Sequence, residues 1–165
     1  HDQDEALSMS DRIVVLRDGR IEQIGSPVEV YENPESLYVA DFLGEANVFN
    51  GKICSIEDNK CTLRTEEGKE IQFINGNFEK RDKVNLIIRP ENVKISKTVK
   101  KGNCLKAKIY EQVYDGAFTK ILMHVDGNIV KSIISGNDKL YNRGDEVYIY
   151  WDIEDAIVLG DKNGK

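Results

Sequence analysis

The chain has 165 residues, with 23 Lys+Arg against 29 Asp+Glu, a formal charge of −6 and a mean hydropathy of −0.46. No apolar run approaches the ~20 residues that a membrane-spanning helix needs, and an acidic balance argues against a broadly nucleic-acid-binding surface. Three cysteines without a CxxC pair (Cys54, Cys61, Cys104) and only two histidines (His1, His124) fit neither a disulfide scaffold nor a zinc site, and suit a reducing compartment.

In chain order, Asp2 with Glu5 reads as a capping box that opens a short helix through Ala6, Leu7 and Met9. Residues 13–16 read as a buried strand, Asp18-Gly19 as a tight turn and 21–24 as the returning strand. Ser26-Pro27-Val28-Glu29 starts a helix, with Ser as cap, Pro in the first turn and Glu at the third position. Asn33-Pro34-Glu35-Ser36 repeats that device for a helix over 37–43, which Gly44 ends. Residues 1–44 hold ten acidic and three basic residues, a balance of −7, and the remainder balances at +1. This shift predicts a domain boundary, with a small α/β piece over 1–44 and a second domain over 45–165. Residue 1 is His, and no basic-then-apolar leader follows it, so the sequence is expected to begin inside a longer gene product.

Beyond residue 47 the pattern becomes β. Runs at 48–53, 61–65, 70–74, 84–88, 93–95, 105–113, 119–125, 129–134, 147–151 and 156–159 alternate with turn signals such as Glu67-Gly68, Asn75-Gly76, Asp126-Gly127 and Gly136-Asn137. Short strands at this spacing predict a small barrel or sandwich. Residues 82–93 also match 145–156 at a constant offset of 63: a turn Asp, an apolar strand, a polar break, then Glu followed by Asn or Asp. Upstream, Gly51-Lys52-Ile53 faces Ala107-Lys108-Ile109, and Glu67-Gly68-Lys69 faces Asp126-Gly127-Asn128, with unequal loops between. The expectation is two copies of one β unit, packed or interleaved so that each covers the apolar face of the other.

Catalytic motifs are absent. Gly51-Lys52 has Ala46 where a phosphate-cradling loop needs Gly, and there is no G-x-S-x-G or H-E-x-x-H. His124, between Met123 and Val125, reads as a strand residue rather than a ligand. Lys94, Lys97, Lys100, Lys101, Lys106 and Lys108 form an acid-free basic stretch. No aromatic lies between 93 and 109, so a solvated connection fits better than a single-strand-binding groove, and no nucleic-acid partner is expected.

His1-Asp2-Gln3-Asp4-Glu5-Ala6-Leu7 and the run from Asp11 to Ile21 resemble the switch-histidine segment of ABC-transporter ATPases. Gly25-Ser26-Pro27, with Tyr31, Asn33 and Pro34, resembles the next stretch of chain in importers of sugars, polyamines and oxyanions. Arg89-Pro90-Glu91-Asn92-Val93 looks like the signature of the TOBE domain attached to those ATPases. Trp151-Asp152 with Glu154-Asp155-Ala156 resembles the closing motif of spermidine/putrescine importer subunits. The resemblance implies a mainly β, OB-like TOBE domain over 45–165, built from two related β units and preceded by an α/β remnant of an ABC ATPase domain.

It further implies that His1 contacts the γ-phosphate in the intact subunit, which uses ATP and Mg. The part over 1–165 lacks the rest of that site, so it is not expected to turn over ATP alone. Arg89, Glu91, Asn92, Trp151, Glu154 and Asp155 are candidate regulatory or interface residues, with a rigid Pro90 turn and a core Trp151 as the plainer alternatives. Implied partners are a second copy of the subunit, membrane permeases and, indirectly, a substrate-binding protein, at the cytoplasmic face of the inner membrane. A sugar or oxyanion (molybdate-like) importer, or a ligand-sensing OB-like module, are the other readings. No metal site is expected in the chain itself.

Overall fold

The computed structural model describes residues 7–136 and 141–161. The chain forms two compact units, residues 1–46 and 47–165. In the first, the hairpin β1 (Ile13–Arg17) and β2 (Arg20–Gly25) is closed by Asp18 and Gly19, both in the left-handed region (φ 51° and 74°) that a tight two-residue hairpin turn requires. Helix α1 (Pro27–Glu32) has the expected capping box: Ser26 Oγ accepts from Glu29 N, and the Glu29 carboxylate accepts from Ser26 N. Helix α2 (Leu37–Phe42) is capped by Ser36 rather than Asn33, and it ends on Leu43 rather than Gly44. Asn33 instead closes α1, and its carbonyl accepts from the buried Gln23 amide (3.0 Å) while the Gln23 Oε1 accepts from Glu35 N (2.9 Å).

Ile13, Val15, Val30, Val39 and Leu43 form the core of this unit. The opposite face of the hairpin (Val14, Leu16, Ile21 and Ile24) is 42–61% exposed. The predicted Asp2–Glu5 capping box and His1 lie outside the described residues; Leu7, Ser8 and Met9 are helical.

Among its described residues the second unit is all β apart from two single-turn 3-10 helices. Its strands are β3 (Asn47–Glu57), β4 (Lys60–Thr65), β5 (Glu70–Ile74), β6 (Lys83–Ile88), β7 (Lys94–Ser96), β8 (Asn103–Asp115), β9 (Phe118–Val125), β10 (Asn128–Ser135), β11 (Glu146–Trp151) and β12 (Ile157–Gly160). All ten expected runs are strands. They form two five-stranded sheets, β12-β6-β3-β4-β5 and β10-β9-β8-β11-β7, antiparallel throughout. The inward residues of both sheets, among them Leu63, Phe73, Leu86, Ile88, Ile109, Ile121, Met123, Ile149 and Trp151, share one core. No described helix is long and apolar enough to cross a membrane.

The duplication seen at 82–93 and 145–156 extends over the whole unit. The meander β3-β4-β5 with β6 corresponds to β8-β9-β10 with β11, and the 3-10 turns Pro90–Asn92 and Ile153–Asp155 occupy matching places. The final strand of each repeat is exchanged: β7 pairs with β11 of the second repeat, and β12 pairs with β6 of the first. The copies are therefore interleaved. Even the irregularities repeat, since β3 bulges between Ile53 and Ser55 and β8 between Ile109 and Glu111.

Candidate functional site

The two crossover turns carry the chain from one sheet to the other, and the six candidate residues of the β unit sit on them or on the strand ends that lead into them. At the first, Pro90 restricts Arg89 to extended backbone (φ −67°, ψ 143°) and opens the 3-10 turn Pro90–Asn92. Arg89 is 3% exposed, Pro90 is buried, Asn92 is half-buried and Glu91 faces solvent. At the second, Trp151 is 3% exposed and stacks on Phe49 (centroids 5.5 Å apart, planes at 22°), so the ring is a core residue. Its Nε1 has no hydrogen-bond partner among the described residues. Asp155, half-buried, accepts from Asp152 N (3.2 Å), and Glu154 faces solvent.

The first turn packs on β10, where Ser132 Oγ donates to Val93 O (2.5 Å), and the second packs on β5. Arg89, Glu91 and Asn92 are thus together at one turn, Trp151, Glu154 and Asp155 at its pseudo-equivalent. A bond between repeats ties β7 to the second turn: Lys94 Nζ lies 2.6 Å from Asp152 Oδ2, which holds the ammonium above its ordinary pKa. Of the basic stretch, only residues 97–102 form a connection. Lys94 is on β7, and Lys106 and Lys108 are on β8, where Lys106 pairs with Glu146 at 2.8 Å. That pairing raises the Lys106 pKa and lowers that of Glu146. Lys100 stands 5.9 Å over the Tyr150 ring, an aromatic that lies outside the basic stretch in sequence. His124 is exposed on β9, edge-on to Tyr110.

Two residues that motif reasoning passed over join the repeats. Asn47, at the start of β3, donates from Nδ2 to Lys131 O (2.8 Å) and accepts at Oδ1 from Lys131 N (2.7 Å). Asn103, at the start of β8, makes the same pair with Gln72 O and N, both at 2.7 Å. Each buried amide imitates one more strand residue on the outer edge of the other repeat, on β10 and on β5. The offset of 56 that relates Gly51 to Ala107 also relates Asn47 to Asn103, a signal available in the sequence. Among the described residues no three His, Cys, Asp or Glu side chains converge as metal ligands. The three cysteines are free thiols, with Cys61 buried.

Two interleaved, bulged β repeats with a 3-10 crossover in each are the architecture of an OB-like TOBE fold. Residues 86–159 match the family model of the TOBE domain. Among solved structures, the cytoplasmic molybdate-binding protein ModG in its molybdate-bound form superimposes with a TM-score of 0.62 at 10% identity, over 68% of this chain and 94% of that one, which establishes the shared fold.

Across nearly its whole length the chain also resembles spermidine/putrescine import ATP-binding proteins PotA. It is 37% identical to that of Oleidesulfovibrio alaskensis (98% of this chain, 47% of the relative) and 38% identical to that of Fusobacterium nucleatum (98% and 45%). The Legionella pneumophila relative is 38% identical, over 92% of this chain and 44% of its own length. The chain is similar along nearly its whole length to the C-terminal portion of these import ATP-binding proteins, and the TOBE match lies within it. It spans about half the length of the curated relatives it matches.

Proposed function

We propose that the chain is the C-terminal regulatory region of the ATP-hydrolysing subunit of an ABC importer for spermidine and putrescine. The observation that carries this reading is 37–38% identity to polyamine import ATP-binding proteins along 92–98% of the chain. Residues 1–44 are read as the end of the nucleotide-binding domain, with His1 as the γ-phosphate-contacting histidine and residues 45–165 as the TOBE domain. The bare apolar face of the β1–β2 hairpin supports this, because a unit of 46 residues that leaves Val14, Leu16, Ile21 and Ile24 uncovered suits a piece of a larger sheet. ATP and Mg then belong to the intact subunit, whose phosphate-binding loop lies in no part of this chain. A second copy of the subunit, the permeases and indirectly a substrate-binding protein are its partners at the cytoplasmic side of the membrane. The crossover turns, with Glu91 and Glu154 outward, are read as the regulatory or dimer-facing surface.

The test is a graft of this chain in place of the corresponding half of a polyamine-import relative, followed by ATP-dependent uptake. Restored spermidine or putrescine uptake is expected. Uptake that responds to maltose or molybdate instead, or ATP turnover by the isolated chain, would overturn the reading.

A further inference from the structure

The two repeats share their bulges but differ in the hollow beside each one. Each bulge is pinned in the same way: Ile53 N donates to Asp82 O (3.0 Å) and Arg81 N to Ile53 O (2.9 Å), matched by Ile109 N to Asp145 O (2.9 Å) and Gly144 N to Ile109 O (2.8 Å). In the second repeat the hollow beside the bulge is about 350 Å³, walled by Tyr110, over whose ring Arg143 places its guanidinium at 5.2 Å. In the first repeat Cys54 stands in the place of Tyr110, and the hollow widens to about 610 Å³, within the range of small-molecule sites.

The lining changes character with the size. Five cationic residues (Lys52, Arg64, Lys80, Arg81 and Lys83) face two anionic ones, Glu66 and Asp161, in a unit that is otherwise nearly neutral. Arg64 is engaged by Glu70 at 2.6 Å, whereas among the described residues Lys52, Lys80, Arg81 and Lys83 take part in no ion pair. Arg81 adopts φ +81°, a conformation for which the second repeat uses Gly144 (φ +94°). A Cβ is strained there, and strain retained at a cationic hollow points to a role for the side chain. The lining nets +3 (five cationic against two anionic residues), which the roughly three negative charges of a diphosphate group balance more closely than a single phosphate or molybdate dianion does.

We propose that the cleft beside the β3 bulge binds a small molecule that carries a diphosphate or triphosphate group. Calorimetric titration of the 165-residue chain with pyrophosphate and with ADP, at about 0.1 M salt so that diffuse attraction is screened, tests this. Saturable binding of either is expected; tighter binding of ADP identifies a nucleotide as the ligand, and equal binding identifies the diphosphate alone. Arg81→Gly, which relieves the left-handed strain and so should not lower the unfolding temperature, is expected to weaken binding about tenfold or more. Cys54→Tyr, which installs the filler of the second repeat, should abolish it. The proposal fails if neither ligand saturates below about 10 mM. It fails equally if Arg81→Gly binds within twofold of the parent, or if inorganic phosphate or molybdate binds as tightly as pyrophosphate.

Discussion

The reciprocal amides Asn47 and Asn103 give the interleaved duplication a measurable consequence. Asn103→Ala removes two hydrogen bonds of 2.7 Å and leaves the outward N–H and C=O of Gln72 to be solvated at a crowded edge. Each bond contributes a net of about 1 kcal/mol and truncation of a buried amide leaves a small void, so the expected loss is about 2–3 kcal/mol. Asn47→Ala removes the matching pair on Lys131 (2.8 and 2.7 Å) and should cost the same to within about 1 kcal/mol. Asn103→Asp should cost more, because it discards the donor and buries a charge that faces a carbonyl. Urea unfolding followed by far-UV circular dichroism gives these differences, with an unchanged m-value as the sign that only stability has moved. Alanine variants that unfold within about 0.5 kcal/mol of the parent, a change typical of uninvolved surface sites, would refute the reasoning.

Gly51 packs so closely on β4 that an added Cβ would stand 2.3 Å from Arg64 O. Gly51→Ala is therefore expected to cost at least about 2 kcal/mol in the same assay, whereas Ala107→Gly at the mate position costs about 1 kcal/mol. Burial pushes the Cys61 thiol above its ordinary pKa. Its contribution is complete below the unfolded-chain value of about 8.5 and fades as pH rises toward the higher folded value, so unfolding midpoints should fall through this alkaline window and flatten in Cys61→Ala. In the native protein Cys61 should label with a thiol reagent much more slowly than the half-buried Cys54 and Cys104; equal rates would contradict its burial.

Local pattern carried most of the secondary structure. Asp126-Gly127 and Asp18-Gly19 announced their hairpins because both positions take left-handed backbone (Asp126 φ 49°, Gly127 φ 87°) that few residue pairs accept. The repeat was visible at 82–93 and 145–156 because turn, strand and 3-10 segment have equal lengths there. It blurred upstream because the β8–β9 hairpin runs on to Asp115 and Phe118, whereas the β3–β4 hairpin turns between Glu57 and Lys60. The exchange of β7 and β12 was not legible, since Ile95 and Val158 alternate as they would beside any partner. The candidate site was legible in position but not in orientation: nothing in Arg89-Pro90-Glu91 says that Arg89 turns inward and Glu91 outward. Asn47 and Asn103 were overlooked because an Asn before a strand ordinarily reads as turn chemistry.

The exchanged strands also dictate an order of events during synthesis. Ile87 of β6 waits for Ile157 of β12, 70 residues later, before its sheet edge is closed. At translation rates of about 5–20 residues per second, that edge emerges and stays open for on the order of ten seconds. Neither half of the duplicated unit can mature on the ribosome ahead of the other, so this module is born as a single slow event and depends on what shields an unpaired strand in the meantime.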